Sequence, residues 1–360
     1  MLVGKKTKHL LKLGGAFIME VNSKTQMAKI RGFEKGFMAT HLINIGHKVG
    51  IFQVLHNNKE GLSVSELAKK LDLHEPYLKI WCQTMYHFEI LDCDEHGRFS
   101  LQPFLDEILG DKNSFKNYLG NISLDVDIIG KRMWEVVECL KTGNNMEVYD
   151  DLETSQIIYQ TTKNIFLAFL FVIFPKNENL KQLLEEGIKF LDIGCGDGTL
   201  IVSLAQSFPN SSFVGISPDQ FGISEAKEKI LQYGLEERVS VMNMGGEDID
   251  YKNEFNMISM IITLHEIDVK LRETVVQKAY DALLPGGHLL ILDFPYPSKI
   301  EDFRNPLYGY GILDQCYEMC MGTKHLSSEE QEEILEKKGF KNLQRIPVGK
   351  GMFDLITARK

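Results

Sequence analysis

The sequence predicts an α/β fold: a Rossmann-like sheet of seven strands, preceded by an α-helical domain of winged-helix type. Three observations carry that expectation. From about residue 181 onward, short apolar runs alternate with helix-length segments, the signature of a parallel sheet covered by helices on both faces. One of those runs, Lys189 to Ile193, passes directly into Gly194, Gly196 and Gly198, as a buried strand entering a tight strand-to-helix turn does. Before it, two capped helical segments are followed by two short β-type runs around Gly97, the order helix, helix, hairpin.

Taken in order, residues 1–26 read as a flexible extension. Its lysines and Leu10-Leu11 are interrupted by Lys12 and no cleavage site follows, so no secretory signal is expected. Gly14-Gly15, a short spacer and Met19 are also compatible with a start at Met19. Residues 27–110 read as the winged-helix and dimerisation domain. Phe37, Leu42, Ile45, Val49 and Phe52 form a helical stripe along Met38 to Leu55. Ser63-Val64-Ser65-Glu66 is a capping box that opens a helix through Leu71. Pro76 occupies the first turn of the next helix, where its missing N–H costs nothing. Ile90–Asp92 and Arg98–Leu101 are the strands of the wing.

Residues 111–180 read as a helical linker and substrate lid, with Trp134, Val137 and Leu140 on one face of a segment ending near Gly143. Ile165 to Phe171 is apolar all round and is expected to be buried. The apolar run continues only to Phe174, ten residues in all and too short to span a bilayer. Residues 181–360 form the sheet domain. Its expected strands are 189–193, 212–216, 239–243, 257–261, 288–293, 342–347 and 354–358; helices fall at 199–207, 220–233, 269–283 and 327–338, and Pro285-Gly286-Gly287 ends one helix and turns the chain into its next strand.

Composition narrows the class. The chain has 360 residues, 44% hydrophobic and 25% charged, with a net charge of −10. That balance argues against a nucleic-acid surface over the whole protein. Leu62 to Leu101, the segment that would meet DNA, carries four basic and seven acidic residues, the wrong sign for phosphate binding. Six cysteines without a C-x-x-C pair fit reduced thiols in a cytoplasm. Cys316 and Cys320 lie four apart but have no evident partner ligands, so no metal is expected.

The glycine loop excludes two common nucleotide turns. Its third glycine comes one residue too early for G-x-G-x-x-G, with Thr199 in that glycine's place, and no lysine closes it as a P-loop would require. The pattern of Asp192, Gly194, Gly196 and Gly198 instead resembles the first motif of class I methyltransferases, which bind S-adenosylmethionine and release S-adenosylhomocysteine. The stretch Leu264-His265-Glu266 after the fourth strand resembles the Leu-His-Asp of small-molecule O-methyltransferases, and Pro76 to Trp81 resembles a winged-helix signature in a bacterial and archaeal group of that family.

The resemblance implies methyl transfer to a small molecule, on oxygen first, with carbon or nitrogen as other acceptors. It implies cofactor contacts from Asp192, Gly194, Cys195, Gly196 and Gly198, from Ser217, Pro218 and Gln220, from Gly246, Glu247 and Asp248, and from Ile262. His265 would be the base, assisted by Glu266; Asp293, Glu318 and His325 are further polar groups on the substrate side. The family's ribose-binding carboxylate is replaced here by Ser217. Homodimers through the N-terminal region are also implied, with no nucleic-acid or membrane partner. The rival expectation is a winged-helix regulator that senses S-adenosylmethionine and binds DNA.

Overall fold

The computed structural model describes residues 21–146 and 151–360. Residues 1–20, with Met19, lie outside them. The chain divides into two compact units, Met1–Ile122 and Ser123–Lys360, so the division falls inside the segment expected to be a helical linker.

In the first unit, helix α1 spans Ser23–Lys48. Asn22 caps it: its Oδ1 accepts the N–H groups of Lys24 and Thr25, and Thr25 Oγ1 accepts the Asn22 N–H. Residues 23–26, expected in a flexible extension, are therefore its first turn. The stripe that reads as one helix to Leu55 is two. Gly50 adopts φ 78°, a left-handed conformation that ends α1, and α2 (Ile51–His56) starts afresh.

Helices α3 (Val64–Leu71) and α4 (Glu75–His87) and the antiparallel pair β1 (Leu91–Cys93) and β2 (Phe99–Leu101) follow, an arrangement compatible with a winged helix. The Ser63 capping box forms as expected, with the Glu66 carboxylate accepting the Ser63 N–H at 2.8 Å. Phe52, Leu67, Trp81, Met85 and Leu91 make the core. α1 joins it at Gly46, where an added methyl would lie 2.4 Å from the Trp81 ring, and Trp81 Nε1 donates to the Leu42 carbonyl. Before that point α1 carries an uncovered apolar stripe: Met27, Ile30, Phe33, Phe37 and Met38 are all more than half exposed.

The second unit holds helices α5 (Leu152–Ala168) and α6 (Glu178–Glu186) and then the sheet domain. The strands are β3 (Lys189–Ile193), β4 (Ser212–Ser217), β5 (Val239–Asn243), β6 (Phe255–Ile261), β7 (Leu283–Asp293), β8 (Lys341–Val348) and β9 (Phe353–Arg359). Between them run α7 (Thr199–Ser207), α8 (Gln220–Gln232), α9 (Arg272–Ala282), α10 (Gly309–Cys320) and α11 (Ser328–Lys337). Among the described residues the sheet has seven strands in the order β5-β4-β3-β6-β7-β9-β8. The first five are parallel and β9 is antiparallel to both neighbours. Separate apolar clusters cover its two faces. Strand order reverses between β3 and β6, which places a crevice beyond their carboxyl ends.

Three local expectations change. Pro285-Gly286-Gly287, which reads as a turn, lies within β7; the pairing slips there, from Phe255 with Leu283 to Met257 with His288, so the strand absorbs these residues as an irregularity. The stretch Ile165 to Phe171 is not buried all round. Phe166, Phe169, Leu170, Ile173 and Phe174 face the core, but Phe171 and Val172 are 61% and 55% exposed, as a helix lying on a sheet buries only one stripe. The continuous helical run Leu152–Lys176 is long and apolar enough by length and composition to cross a membrane, which corrects the ten-residue measure. Trp134, Val137 and Leu140 share a face that is exposed.

Candidate functional site

The glycine loop is built by its backbone. Gly194, Gly196 and Gly198 adopt φ of 82°, 48° and 71°, where side chains are disfavoured. A methyl on Gly194 would lie 2.5 Å from the Thr263 side chain, on Gly196 3.0 Å from the Tyr159 ring, and on Gly198 2.8 Å from Ala226. The loop is thus pressed against the end of β6, against α5 and against α8. The N–H groups of Gly194 and Cys195 both donate to the Ile216 carbonyl, folding it onto β4. Beyond it, α7 presents its N-terminus toward the same crevice.

The side chains of the loop mostly hold the loop itself. Asp192 is buried and accepts a hydrogen bond from Ser259 of β6; burial pushes its carboxyl up to about 7. Asp197 accepts the Thr199 N–H and pairs with Lys229 of α8. Cys195 points into the core, where burial holds its thiol well above the ordinary range. Its N–H and C=O are both used internally, so Cys195 shapes the turn and its thiol is not turned to the crevice.

The rim follows β4 and β5. Ser217 is buried, and its hydroxyl accepts the Asp219 N–H at 3.2 Å. Asp219 caps α8 by accepting the Phe221 N–H, and Pro218 and Gln220 are exposed beside it. Gly246, Glu247 and Asp248 form one 3₁₀ turn after β5. There Gly246 packs on Val275 of α9 and the Glu247 carboxylate folds back over Gly245. Ile262 has φ 53°, a strained conformation for a β-branched residue, and is held there by its N–H bond to the Leu292 carbonyl of β7.

Past Ile262 the chain reaches His265, which is 3% exposed. Asp293, at the end of the neighbouring strand β7, holds it twice, accepting from His265 Nδ1 at 2.6 Å and from the His265 N–H at 3.2 Å. Burial alone would lower the His265 pKa, but the facing Asp293 carboxylate outweighs it and raises the ring to about 10. His265 in turn holds Asp293 below the usual carboxylate range against its own burial. Glu266 Oε1 lies 3.9 Å from His265 Nε2 on a side chain 51% exposed.

A second histidine lies on the first. The His325 ring stacks on His265 at 4.4 Å between centroids, tilted by 13°, with its Nε2 3.1 Å from Asp314 Oδ2 of α10. Glu318, one turn along α10, is buried, accepts from Thr323 and has its pKa raised by burial and by Asp314. Arg272 binds the two histidine segments together: one guanidinium nitrogen donates to the carbonyls of His265, Ile267 and Lys324, each at 2.9 Å.

His265, Asp314 and His325 lie close enough to share a metal ion. The stacking argues against it. Ring lone pairs lie in the ring planes, so an ion between two nearly parallel imidazoles would meet at least one of them face-on.

The structure therefore brings Gly194, Gly196, Gly198, Ile262 and His265 to the mouths of β3 and β6, with Ser217 and the Gly246 turn along one side. Sequence reading missed Tyr159, Arg272 and Asp314. Arg272 and Tyr159 sit in no motif, whereas Asp314 carries a usable signal, one helical turn before Glu318 on the same face.

Comparisons with known proteins agree with this geometry. Residues 190–287 match the family model of a methyltransferase domain. The bacteriochlorophyllide d C-20 methyltransferase of Chlorobaculum tepidum is 28% identical, over 75% of this chain and 79% of that protein. A candidate O-methyltransferase of Nostoc punctiforme PCC 73102 superposes with a TM-score of 0.76 at 17% identity, covering 92% of this chain and 98% of that one. Human N-acetylserotonin methyltransferase, solved with S-adenosylmethionine, gives 0.68 at 17% identity, covering 94% and 98%.

Proposed function

We propose that this class I S-adenosylmethionine-dependent methyltransferase places the methyl group on an oxygen of its small-molecule acceptor, with His265 taking the acceptor's proton. The glycine cradle fits the cofactor on two counts. Its three left-handed glycines let the chain turn sharply at the mouth of β3 while packing against Thr263, Tyr159 and Ala226, and a helix N-terminus adjoins it. When bound, the cofactor supplies a methyl group already activated on a sulfonium, so the protein's work is to align the attack and to manage the proton.

The observation that carries the proposal is the buried His265–Asp293 pair beyond the end of β6. Thr263, two residues before His265, touches Gly194 of the cradle. Asp293 binds Nδ1 and so leaves Nε2 as the nitrogen that can face an acceptor hydroxyl. Because the carboxylate keeps His265 protonated near neutrality, the base form appears only as pH rises toward its raised pKa. Turnover with a hydroxyl acceptor should therefore climb through the alkaline range.

Gly194, Gly196 and Gly198 would hold the amino-acid end of the cofactor. Ser217, Pro218 and Gln220 would border its ribose, and Gly246, Glu247, Asp248 and Ile262 its adenine side. The uncovered apolar stripe of α1 supports a homodimer formed through the N-terminal unit, built on a winged helix. The acidic balance of Leu62 to Leu101, four basic against seven acidic residues, speaks against DNA as its partner. Six free cysteines fit a cytoplasmic setting.

Carbon methylation is the second reading, favoured by the relative that acts at C-20. The test is formation of S-adenosylhomocysteine from S-adenosylmethionine with matched panels of phenols and of carbon acids, for wild type and His265→Ala. Loss of turnover on phenols in the variant supports the base role; unchanged turnover removes it.

A further inference from the structure

A hydrogen bond fixes one point of an imidazole, not its plane. Asp293 holds His265 at Nδ1 and at its main-chain N–H, which leaves the ring free to tilt about the Nδ1 contact and carry Nε2 out of line. A general base works only where its nitrogen is aimed at the proton it takes. What meets the face of the His265 ring is His325, stacked on it at 4.4 Å and 13°.

We propose that His325 is a positioning residue, whose uncharged ring is a fixed plate that sets the plane of the His265 imidazole; the proposal rests on the reading of His265 as the base. The plate is itself held on several sides. His325 is fully buried, its Nε2 lies 3.1 Å from Asp314 Oδ2, and its main-chain N–H donates to Gln315 Oε1 at 2.7 Å. Asp314 and Gln315 are neighbours on α10, so one helix fixes both the ring and the backbone. Tyr296 also stacks on His325, at 6.0 Å and 14°, and Phe294 meets both histidines edge-on at 5.9 Å.

The hydrogen bonds say where the proton of the plate sits. His325 Nδ1 is buried and has no partner among the described residues. A proton there would be a buried donor with no acceptor, whereas a proton on Nε2 is donated to Asp314. Two imidazolium rings face to face would repel, and His265 has the better claim to the charge, because Asp293 holds it twice. A neutral His325 instead offers its π face to the His265 cation. The other charged groups facing the pair are Glu266 beside His265, Glu318 on α10, and Arg272, which donates to the His265 carbonyl.

The test has two arms, both on the full chain. In wild type labelled with ¹⁵N-histidine at about pH 8, two-bond ¹H–¹⁵N spectra should show His265 protonated on both nitrogens and His325 on Nε2 alone. In phenol turnover, His325→Phe keeps a flat ring and should stay within about threefold of wild type in kcat. His325→Leu should fall at least about tenfold, since misplacement by an ångström can cost about 10²-fold. KM for S-adenosylmethionine should hold within about twofold in both variants, because the plate acts on the base and not on the cradle. A His325 imidazolium, or its proton on Nδ1, overturns the assignment, as do equal kcat values for the two variants, both kept or both lost. Where a variant does not fold, the wild-type spectra decide. If instead His265→Ala turns over phenols as wild type does, the base reading falls, and the plate with it.

Discussion

The glycine cradle and the histidine cluster adjoin each other but are built on opposite principles. The cradle is main chain: three left-handed glycines, with side chains such as Asp192, Asp197 and Cys195 turned away to hold the loop. The cluster is side chain: two buried imidazoles stacked face to face and paired with Asp293 and Asp314, with Glu318 close by. A cluster of buried titratable groups, with pKa values moved by burial and by each other, is where proton chemistry is arranged. Damage to the two regions should therefore separate into binding and turnover.

The largest effect is expected from His265→Ala. Removing a positioned base costs roughly 10²- to 10⁴-fold in kcat, while affinity for S-adenosylmethionine, measured by calorimetry, should stay within about twofold. A variant that instead lost cofactor affinity would erase the distinction between the regions. Gly194→Ala should do the reverse. Its methyl would meet Thr263 at 2.5 Å in a conformation unfavourable to alanine, so cofactor binding should fall and the melting temperature should drop by an amount corresponding to about 1–3 kcal/mol.

Asp293→Asn sharpens the comparison within the cluster. It removes the charge that raises His265, so the alkaline limb of the pH–rate profile should move to lower pH. It should also lower kcat by roughly 10- to 100-fold through loss of ring orientation, by analogy with the carboxylates that orient metal-binding histidines. An unmoved limb would assign that ionisation to another group.

Stability should follow the same pair. The folded-state pKa of His265, about 10, exceeds its ordinary 6.5, so its contribution is complete below about pH 6.5 and is lost as pH rises toward 10. Asp293 is shifted down, so its contribution holds above the ordinary 3.8 and is lost as pH falls through the lowered value. Melting temperatures should decline from pH 7 to pH 10 in wild type and decline less in Asp293→Asn.

The two regions also differ in how openly the sequence displays them. The cradle is contiguous, from Asp192 to Gly198, and its strand-glycine-helix order follows from local rules; β3, β5 and α7 lie where those rules put them. The cluster draws on residues 265, 293, 314, 318 and 325, which only the sheet order and the docking of α10 bring together. His265 was legible because it follows a strand that ends at the switch point, and Asp293 because it ends the next strand. The stacking of His325 on His265 and the Arg272 clamp have no local signature. The fold shows the same limit. The stripe from Phe37 to Phe52 keeps a helical period through Gly50, so periodicity alone could not reveal the break that a left-handed glycine makes. Pro285-Gly286-Gly287 carries turn chemistry, and only the pairs that flank it, Leu283 with Phe255 and His288 with Met257 and Arg359, draw it into a strand.

The most direct test of the central claim is titration calorimetry of the folded chain with S-adenosylmethionine, run beside Gly194→Ala. The account predicts one cofactor per chain for wild type and clearly weaker binding for the variant. A folded wild-type protein that takes up no S-adenosylmethionine, or a variant that binds it as tightly as wild type, would contradict the assignment of the cradle.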